Sequence, residues 1–283
     1  MNVMQGYLGV LVAILAWGSY MVPLKRYHNI SPLWFQGWLS IGVGLSSLAL
    51  GAWRGFPSFS PWGLFSGLAW TLGALSSFLA VRHEGLSGAS TRWMGTGILV
   101  SFAIGVLILG DHVALPLALM GVVALIAGLL LVSKAADKQV ANSKSGILRY
   151  WRSVGAGTIF GSYLLPMQLA QVNPMDFVAP MGTGILLGGL ILLSRCPPAH
   201  AGLKPICIGC GLAWNLANVG SLIAIQGIGF AVGFPLTQLA LLVSISWGIW
   251  MFGESPLPRQ RRFLMFAALF LLIGAALLGL SRR

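Results

Sequence analysis

The chain says the same thing twice, and that repetition limits its folds more than any other feature. Gly18-Ser19-Tyr20-Met21-Val22-Pro23 returns as Gly161-Ser162-Tyr163-Leu164-Leu165-Pro166, an offset of 161 − 18 = 143. Gly67-Leu68-Ala69-Trp70 returns as Gly211-Leu212-Ala213-Trp214, one residue further on, and Gly110-Asp111 returns as Gly253-Glu254. Between these landmarks lie apolar stretches of about 20 residues, the length a helix needs to cross roughly 30 Å of hydrocarbon. Ten such spans are predicted, at 3–22, 33–53, 60–81, 88–109, 114–133, 154–171, 176–194, 205–226, 230–252 and 260–280. Each copy holds five, and an odd number of crossings leaves the second copy upside down relative to the first. The predicted fold is an all-α integral membrane protein of ten transmembrane helices in two inverted five-helix repeats. Residues 1–133 form the first repeat, 134–153 a polar basic linker and 154–283 the second repeat. Inverted repeats are the architecture of secondary transporters, with the solute site near the midplane between the halves. A carrier of a small polar solute working by alternating access is therefore expected.

Composition agrees. A mean hydropathy of +0.87, with 57% hydrophobic and only 8% charged residues, excludes a water-soluble domain. The spans are solidly apolar and lack the alternation of an outer-membrane barrel strand. Met1–Gln5 carries no basic residue and the first span runs into the repeated motif, so neither a signal peptide nor an appended soluble domain is expected. The net charge of +12 is scattered between spans and does not point to nucleic acid. Every Lys and Arg except Arg54, Arg282 and Arg283 falls in or beside the gaps after odd-numbered spans. The positive-inside rule then puts the 134–153 linker in the cytoplasm and both termini outside, in an inner (plasma) membrane. The charges change parity between the copies: Lys25 and Arg26 follow span 1 but no basic residue follows span 6, whereas Arg54 alone follows span 2 and Arg195 with Lys204 follows span 7. The linker's basic groups are placed to touch anionic lipid headgroups.

Five acidic residues exist, Glu84, Asp111, Asp137, Asp176 and Glu254, and none falls in the middle of a span. Asp111 and Glu254 occupy equivalent positions before spans 5 and 10, where a carboxylate caps free N–H groups and complements a helix dipole, or else takes part in proton coupling. Uncharged polar groups are the stronger solute candidates. Asn215 and Gln226 share one face of span 8, with Trp214 and Asn218 on an adjoining face. Buried amides in lipid need a partner, which is either a neighbouring helix or a wet cavity. A ring beside amides suits a sugar, whose C–H face stacks while its hydroxyls bond. Trp70 and Thr71 are the first-half counterparts of Trp214 and Asn215. Thr237 and Gln238 follow Gly233-Phe234-Pro235, where span 9 can break and offer backbone groups to a cavity or simply begin a helix. Tyr20, Tyr163 and Gln36 are secondary candidates, and Arg92 either snorkels to the interface or meets an anionic solute. Small residues at Gly18, Ser19, Gly161 and Ser162 allow spans 1 and 6 to approach their neighbours closely. Cys207-x-x-Cys210, with Cys196 and His200 nearby, lacks a second pair and reads as buried thiols. His28, His83, His112 and His200 all lie in or beside gaps, so no catalytic constellation, metal site or cofactor is expected beyond a coupling proton.

The motifs also resemble a known family. Gly18-Ser19-x-x-Val22-Pro23-x-Lys25 with Gln36 is similar to the first two spans of the glucose/ribose uptake branch of the drug/metabolite transporter superfamily. Gly211-Leu212-Ala213-Trp214 with Asn218, Phe234-Pro235-x-x-Gln238, and Trp247-Gly248-x-x-x-Phe252-Gly253-Glu254 resemble that branch's eighth and ninth spans. The likeness runs along nearly the whole chain. It implies ten helices in two inverted repeats around a central cavity, and proton-linked uptake of a monosaccharide. The sequence departs from the pattern where Gln168 stands at the second-copy position matching Lys25, and in having no buried acid. Two other readings stay open at this point: an exporter of amino acids or related metabolites, and a non-transporting membrane enzyme or sensor.

Overall fold

With no water in hydrocarbon to bond exposed backbone groups, a spanning segment has to satisfy its own N–H and C=O groups. The computed structural model obeys this: its described residues are mostly helical, and the one strand-like pairing among them is an isolated bridge between Val113 and Arg282. It describes residues 2–22, 30–56, 59–84, 86–136, 150–196, 201–253 and 256–282. Pro23, Lys25, Arg26, His28, Asp137, His200, Glu254 and linker residues 137–149 lie outside the described residues, as do the side chains of His83 and Glu84.

In chain order the helices are α1 (Val3–Ser19), α2 (Pro32–Trp53), α3 (Pro61–Glu84), α4 (Leu86–Ala103, continued by a π-helical turn Ile104–Ile108), α5 (Leu115–Ala136), α6 (Trp151–Ser162), α7 (Leu165–Leu169), α8 (Pro174–Leu193), α9 (Lys204–Ile228), α10 (Phe230–Thr237), α11 (Ala240–Phe252) and α12 (Pro258–Leu280). Eight segments among the described residues are long and apolar enough to cross a membrane: α2, α3, α4 with its π turn, α5, α8, α9, α10–α11 together, and α12. The protein is a multi-pass membrane protein. The remaining apolar helix α1 has 17 residues.

Two spans read as continuous in the sequence are broken in the structure. Residues 154–171 divide into α6 and α7 at Tyr163-Leu164, and 230–252 divide into α10 and α11 at Gln238-Leu239. Proline explains the first: Pro166 cannot donate to the Ser162 carbonyl, and its ring crowds the preceding turn. The second falls after Pro235, which lies inside α10, where the Gln238 and Leu239 N–H groups bond three residues back, to the Pro235 and Leu236 carbonyls. The repeated Gly-Ser-Tyr motif ends a helix in both copies, α1 at Ser19 with Tyr20 as its cap and α6 at Ser162 with Tyr163 as its cap.

The strongest packing pairs α5 with α12, α2 with α8, α1 with α9, α3 with α8, α4 with α6, and α2 with α9. Repeated glycines make these approaches possible. A Cβ on Gly67 would run into the Met181 carbonyl of α8, and one on Gly211 into the Leu39 carbonyl of α2. Likewise Gly18 lies against Val243 of α11, and Gly161 against Gly97 and Val100 of α4. Two apolar cores result, one around Trp34, Trp70, Phe177 and Trp214, the other around Phe102, Leu125, Leu129 and Leu271. The short helix α10 belongs to both, with Phe230 and Phe234 in the first and Ala231, Val232 and Leu236 in the second.

Gly211→Ala should therefore destabilise the protein by about 1–3 kcal/mol through overpacking. Gly209→Ala, where a Cβ meets open space, should be neutral or stabilising by up to about 1 kcal/mol, because alanine is the better helix former. Thermal unfolding of the two variants in detergent separates these outcomes.

Candidate functional site

Trp70 of α3 and Trp214 of α9, equivalent residues of the sequence repeat, touch one another with ring centroids 4.3 Å apart. Trp17 of α1 flanks Trp214 at 6.2 Å, and Phe160 of α6 flanks Trp70 at 6.4 Å, each pair inclined at 41°. Trp17 and Phe160 stand at the same offset as the Gly-Ser-Tyr repeat that each precedes. The signal for both is in the sequence, immediately before the repeated glycine. The four rings form a ladder from α1 to α6. At this distance the two indoles are in contact, and a solute ring would fit between them only if they separated.

Polar groups line the same region. Asn218 is buried and accepts a hydrogen bond from the Tyr163 hydroxyl at 3.2 Å, while its amide nitrogen lies 3.8 Å from the Met181 sulfur. The Tyr163 ring meets Phe234 edge-on, and Phe234 stacks with Phe230. Asn215 is also buried and donates to Ser46 of α2 at 2.9 Å, so one end of this amide joins two helices. Its other end, Oδ1, is buried with no hydrogen-bond partner among the described residues, as are Trp17 Nε1 and Ser221 Oγ. Each such orphan costs about 1–3 kcal/mol. Ser46, Met181, Trp17 and Phe160 were not foreseen as neighbours of this site.

The other candidates are more dispersed. Gln36 is buried and donates to Ser40, four residues along its own helix. Thr237 is buried and bonds the Phe234 carbonyl, and Gln238 donates to Thr237. These two side chains thus brace the break between α10 and α11. Tyr20 lines an apolar groove of about 620 Å³ between α1 and α9, together with Ser19 and Cys210. Cys207 and Cys210 are buried free thiols. Arg92 lies 4.2 Å from the centre of the Tyr150 ring.

Gln226 is exposed and lines a second, polar cavity of about 630 Å³. Its walls include Asp111, Gln168, Gln171, Asn173 and Phe230. The end of α9 beside it packs against Asn2 and Gly6, and Val113 pairs with Arg282 nearby, so this cavity opens at the end of the bundle that carries both termini. Ile225 in its wall lies seven residues from Asn218, two helical turns or about 10 Å along α9.

Asp111 does not cap α5, the helix that follows it. Its carboxylate accepts the Ala231 N–H at 2.7 Å and also bonds the Phe230 N–H, closing the start of α10 in the other half of the chain. Gly229 makes this possible: it stands between α9 and α10 at φ +86°, and any Cβ there would press on the Asp111 carboxylate. Burial raises the Asp111 pKa above the ordinary carboxylate value, against the opposing pull of the Ala231 and Phe230 N–H groups and of His112. A raised folded-state value means that the group's stabilisation is fully present below about pH 4, the ordinary Asp pKa. It is lost as the pH rises through the folded value. Asp111→Asn should remove that pH dependence, and Asp111→Ala should cost about 1 kcal/mol as a lost cap. Unfolding midpoints across that pH window check both.

Comparisons with known proteins cover this whole framework. A family model described as "Sugar transport protein" matches residues 9–281. A Lactiplantibacillus plantarum protein named "Putative sugar uptake protein" is 26% identical, over 98% of this chain and 100% of its own length. A relative in Streptococcus pyogenes serotype M1 with the same description is 25% identical over 99% of this chain and 100% of its own. A crystal structure 15% identical overlays with a TM-score of 0.81, covering 100% of this chain and 99% of that one, a likeness of fold alone.

Proposed function

Because this chain belongs to the sugar transport protein family, we propose that it takes up a neutral monosaccharide, bound at the ring ladder between Trp70 and Trp214. The observation that carries the reading is a pair of orphaned groups, the N–H of Trp17 in the ladder itself and the carbonyl of Asn215, the residue after Trp214. A sugar supplies what each lacks, because a hydroxyl both accepts and donates. Asn218, Tyr163 and Gln238 stand as supporting contacts, with Gln36 and Tyr20 at the margin.

Alternating access by two inverted five-helix repeats is the mechanism we assign. In support, exchanging each helix for its counterpart in the other half turns one packed pair into another: α1 with α9 becomes α6 with α3, and α2 with α9 becomes α8 with α3. The α1–α11 contact becomes α6 with α4, and α2–α8 and α5–α12 map onto themselves. The shared 41° tilt of Trp17 on Trp214 and of Phe160 on Trp70 follows the same exchange. The Trp70–Trp214 contact then lies on the pseudo-twofold axis, and opening toward either side parts the halves there. The charge bias orients the linker toward the cytoplasm and the polar cavity outward. The glucose/ribose uptake branch of the drug/metabolite transporter superfamily fits these features. Asp111, a carboxylate of raised pKa joining the two halves, is the group through which a proton would be coupled.

Uptake into proteoliposomes tests this with a panel of D-glucose, D-galactose, D-xylose and D-ribose beside an amino-acid panel, with and without a proton gradient. Saturable flux of a panel sugar is expected, and amino-acid flux alone would overturn the substrate. Asn215→Leu should lower uptake at least about tenfold, the effect of roughly 1.4 kcal/mol. It removes the bond to Ser46 together with an acceptor that is unpaired in the folded protein, and because the two effects offset, stability should change by less than about 1 kcal/mol. A purely helix-joining amide would lose stability along with flux.

A further inference from the structure

We infer that the polar cavity at the terminal end of the bundle is a second monosaccharide site, a vestibule where the solute is held before it reaches the ring ladder. The inference rests on the sugar reading above. The cavity's volume of about 630 Å³ falls within the range of roughly 300–1,000 Å³ typical of small-molecule pockets. Its chemistry is that of a polyol site. Three primary amides, Gln168, Gln171 and Gln226, present side chains with no hydrogen-bond partner among the described residues. Asn173 spends its oxygen capping Met175 at 2.9 Å and keeps its amide N–H groups to donate. Asp111 uses part of its acceptor capacity on α10, and a carboxylate has about four lone-pair sites, so hydroxyls can bond the rest. The Phe230 ring supplies an apolar wall. Among the described residues no Lys or Arg lines the cavity, so an anionic solute finds no counter-charge there.

The backbone at Gln171 gives independent support. The short helix α7 ends in a Schellman turn, with the Val172 N–H bonded to the Met167 carbonyl at 3.1 Å. Gln171 occupies the left-handed position of that turn at φ +52°. Glycine adopts this conformation at no cost, while a residue with a Cβ is strained there by about 1 kcal/mol. The chain carries that strain and thereby keeps an amide on the cavity wall. From the vestibule the route inward is short. Phe230 stacks on Phe234, which meets Tyr163, the partner of Asn218.

Gln171→Gly isolates the side chain without threatening the fold, because glycine relaxes the turn. Combined with Gln168→Leu, it should raise the KM for the transported panel sugar about fivefold at an unchanged maximal rate, the signature of lost ground-state binding. Thermal unfolding of Gln171→Gly should be no lower than that of the parent. A second readout works without transport. In protein carrying Asn215→Leu, a thiol introduced by Gln226→Cys is labelled with a membrane-impermeant maleimide, and panel sugars should slow the labelling saturably while alanine and glycine do not. Addition of Gln171→Gly and Gln168→Leu should abolish that protection. Sugar uptake with a parental KM in the double variant, or no protection of the introduced thiol, would overturn the vestibule and leave the transport reading standing. Protection without uptake of any panel sugar by the parent protein would keep the vestibule and overturn the transport reading.

Discussion

Everything in this molecule follows from the demand that a backbone in hydrocarbon bond to itself. Helices meet the demand cheaply, and a break in one has to be compensated locally. Where this chain departs from regular helix, a compensating group stands ready. Gly229 interrupts the path from α9 to α10, and Asp111 takes up the freed N–H groups of Ala231 and Phe230. α10 ends at Thr237, whose hydroxyl bonds the carbonyl of Phe234 there. Pro166 separates α6 from α7, and the turn beyond α7 closes on itself at Gln171. The breaks at Gly229 and Gln171, with the π turn of α4, border the polar cavity. Irregular backbone at membrane depth is tolerated where it lines a cavity or is buried in protein, so the breaks and the cavity are two aspects of one arrangement.

The second constraint is close approach. Lipid tails are as apolar as leucine, so helices here associate through contact rather than through expulsion of water. Gly67 and Gly211 bring α3 and α9 against carbonyls of α8 and α2, and these same helices carry Trp70 and Trp214 one turn further on. The glycine that sets the packing thus also sets the meeting of the rings. In this way a stability feature and a site feature are tied to one repeated tetrapeptide, Gly-Leu-Ala-Trp.

Asp111 joins the two constraints. It is a polar group held partly out of water, it crosses from the first half of the chain to the second, and it borders the cavity. Its carboxylate accepts an N–H group at the start of α10, the short helix shared by both apolar cores.

The sequence by itself determined that the chain crosses a membrane many times, because runs of apolar residues with few charges leave no other medium for it. It also singled out Asn215 and Asn218 with the repeated Trp70 and Trp214 as candidates, since a polar group inside an apolar span is costly until it finds a partner. Tertiary structure alone decided their partners. Nothing in local spacing says that Asn215 reaches Ser46 or that Tyr163 bonds Asn218, because those contacts join residues 169 and 55 positions apart. Nor does the order of residues reveal that Asp111 caps a helix of the other half and not the one that follows it. Gln171 falls at the end of the predicted span 154–171 and Asn173 in the gap after it, and only the meeting of helix breaks makes them walls of a cavity. Periodicity and composition record what each segment must bury, whereas a site is made of segments that meet.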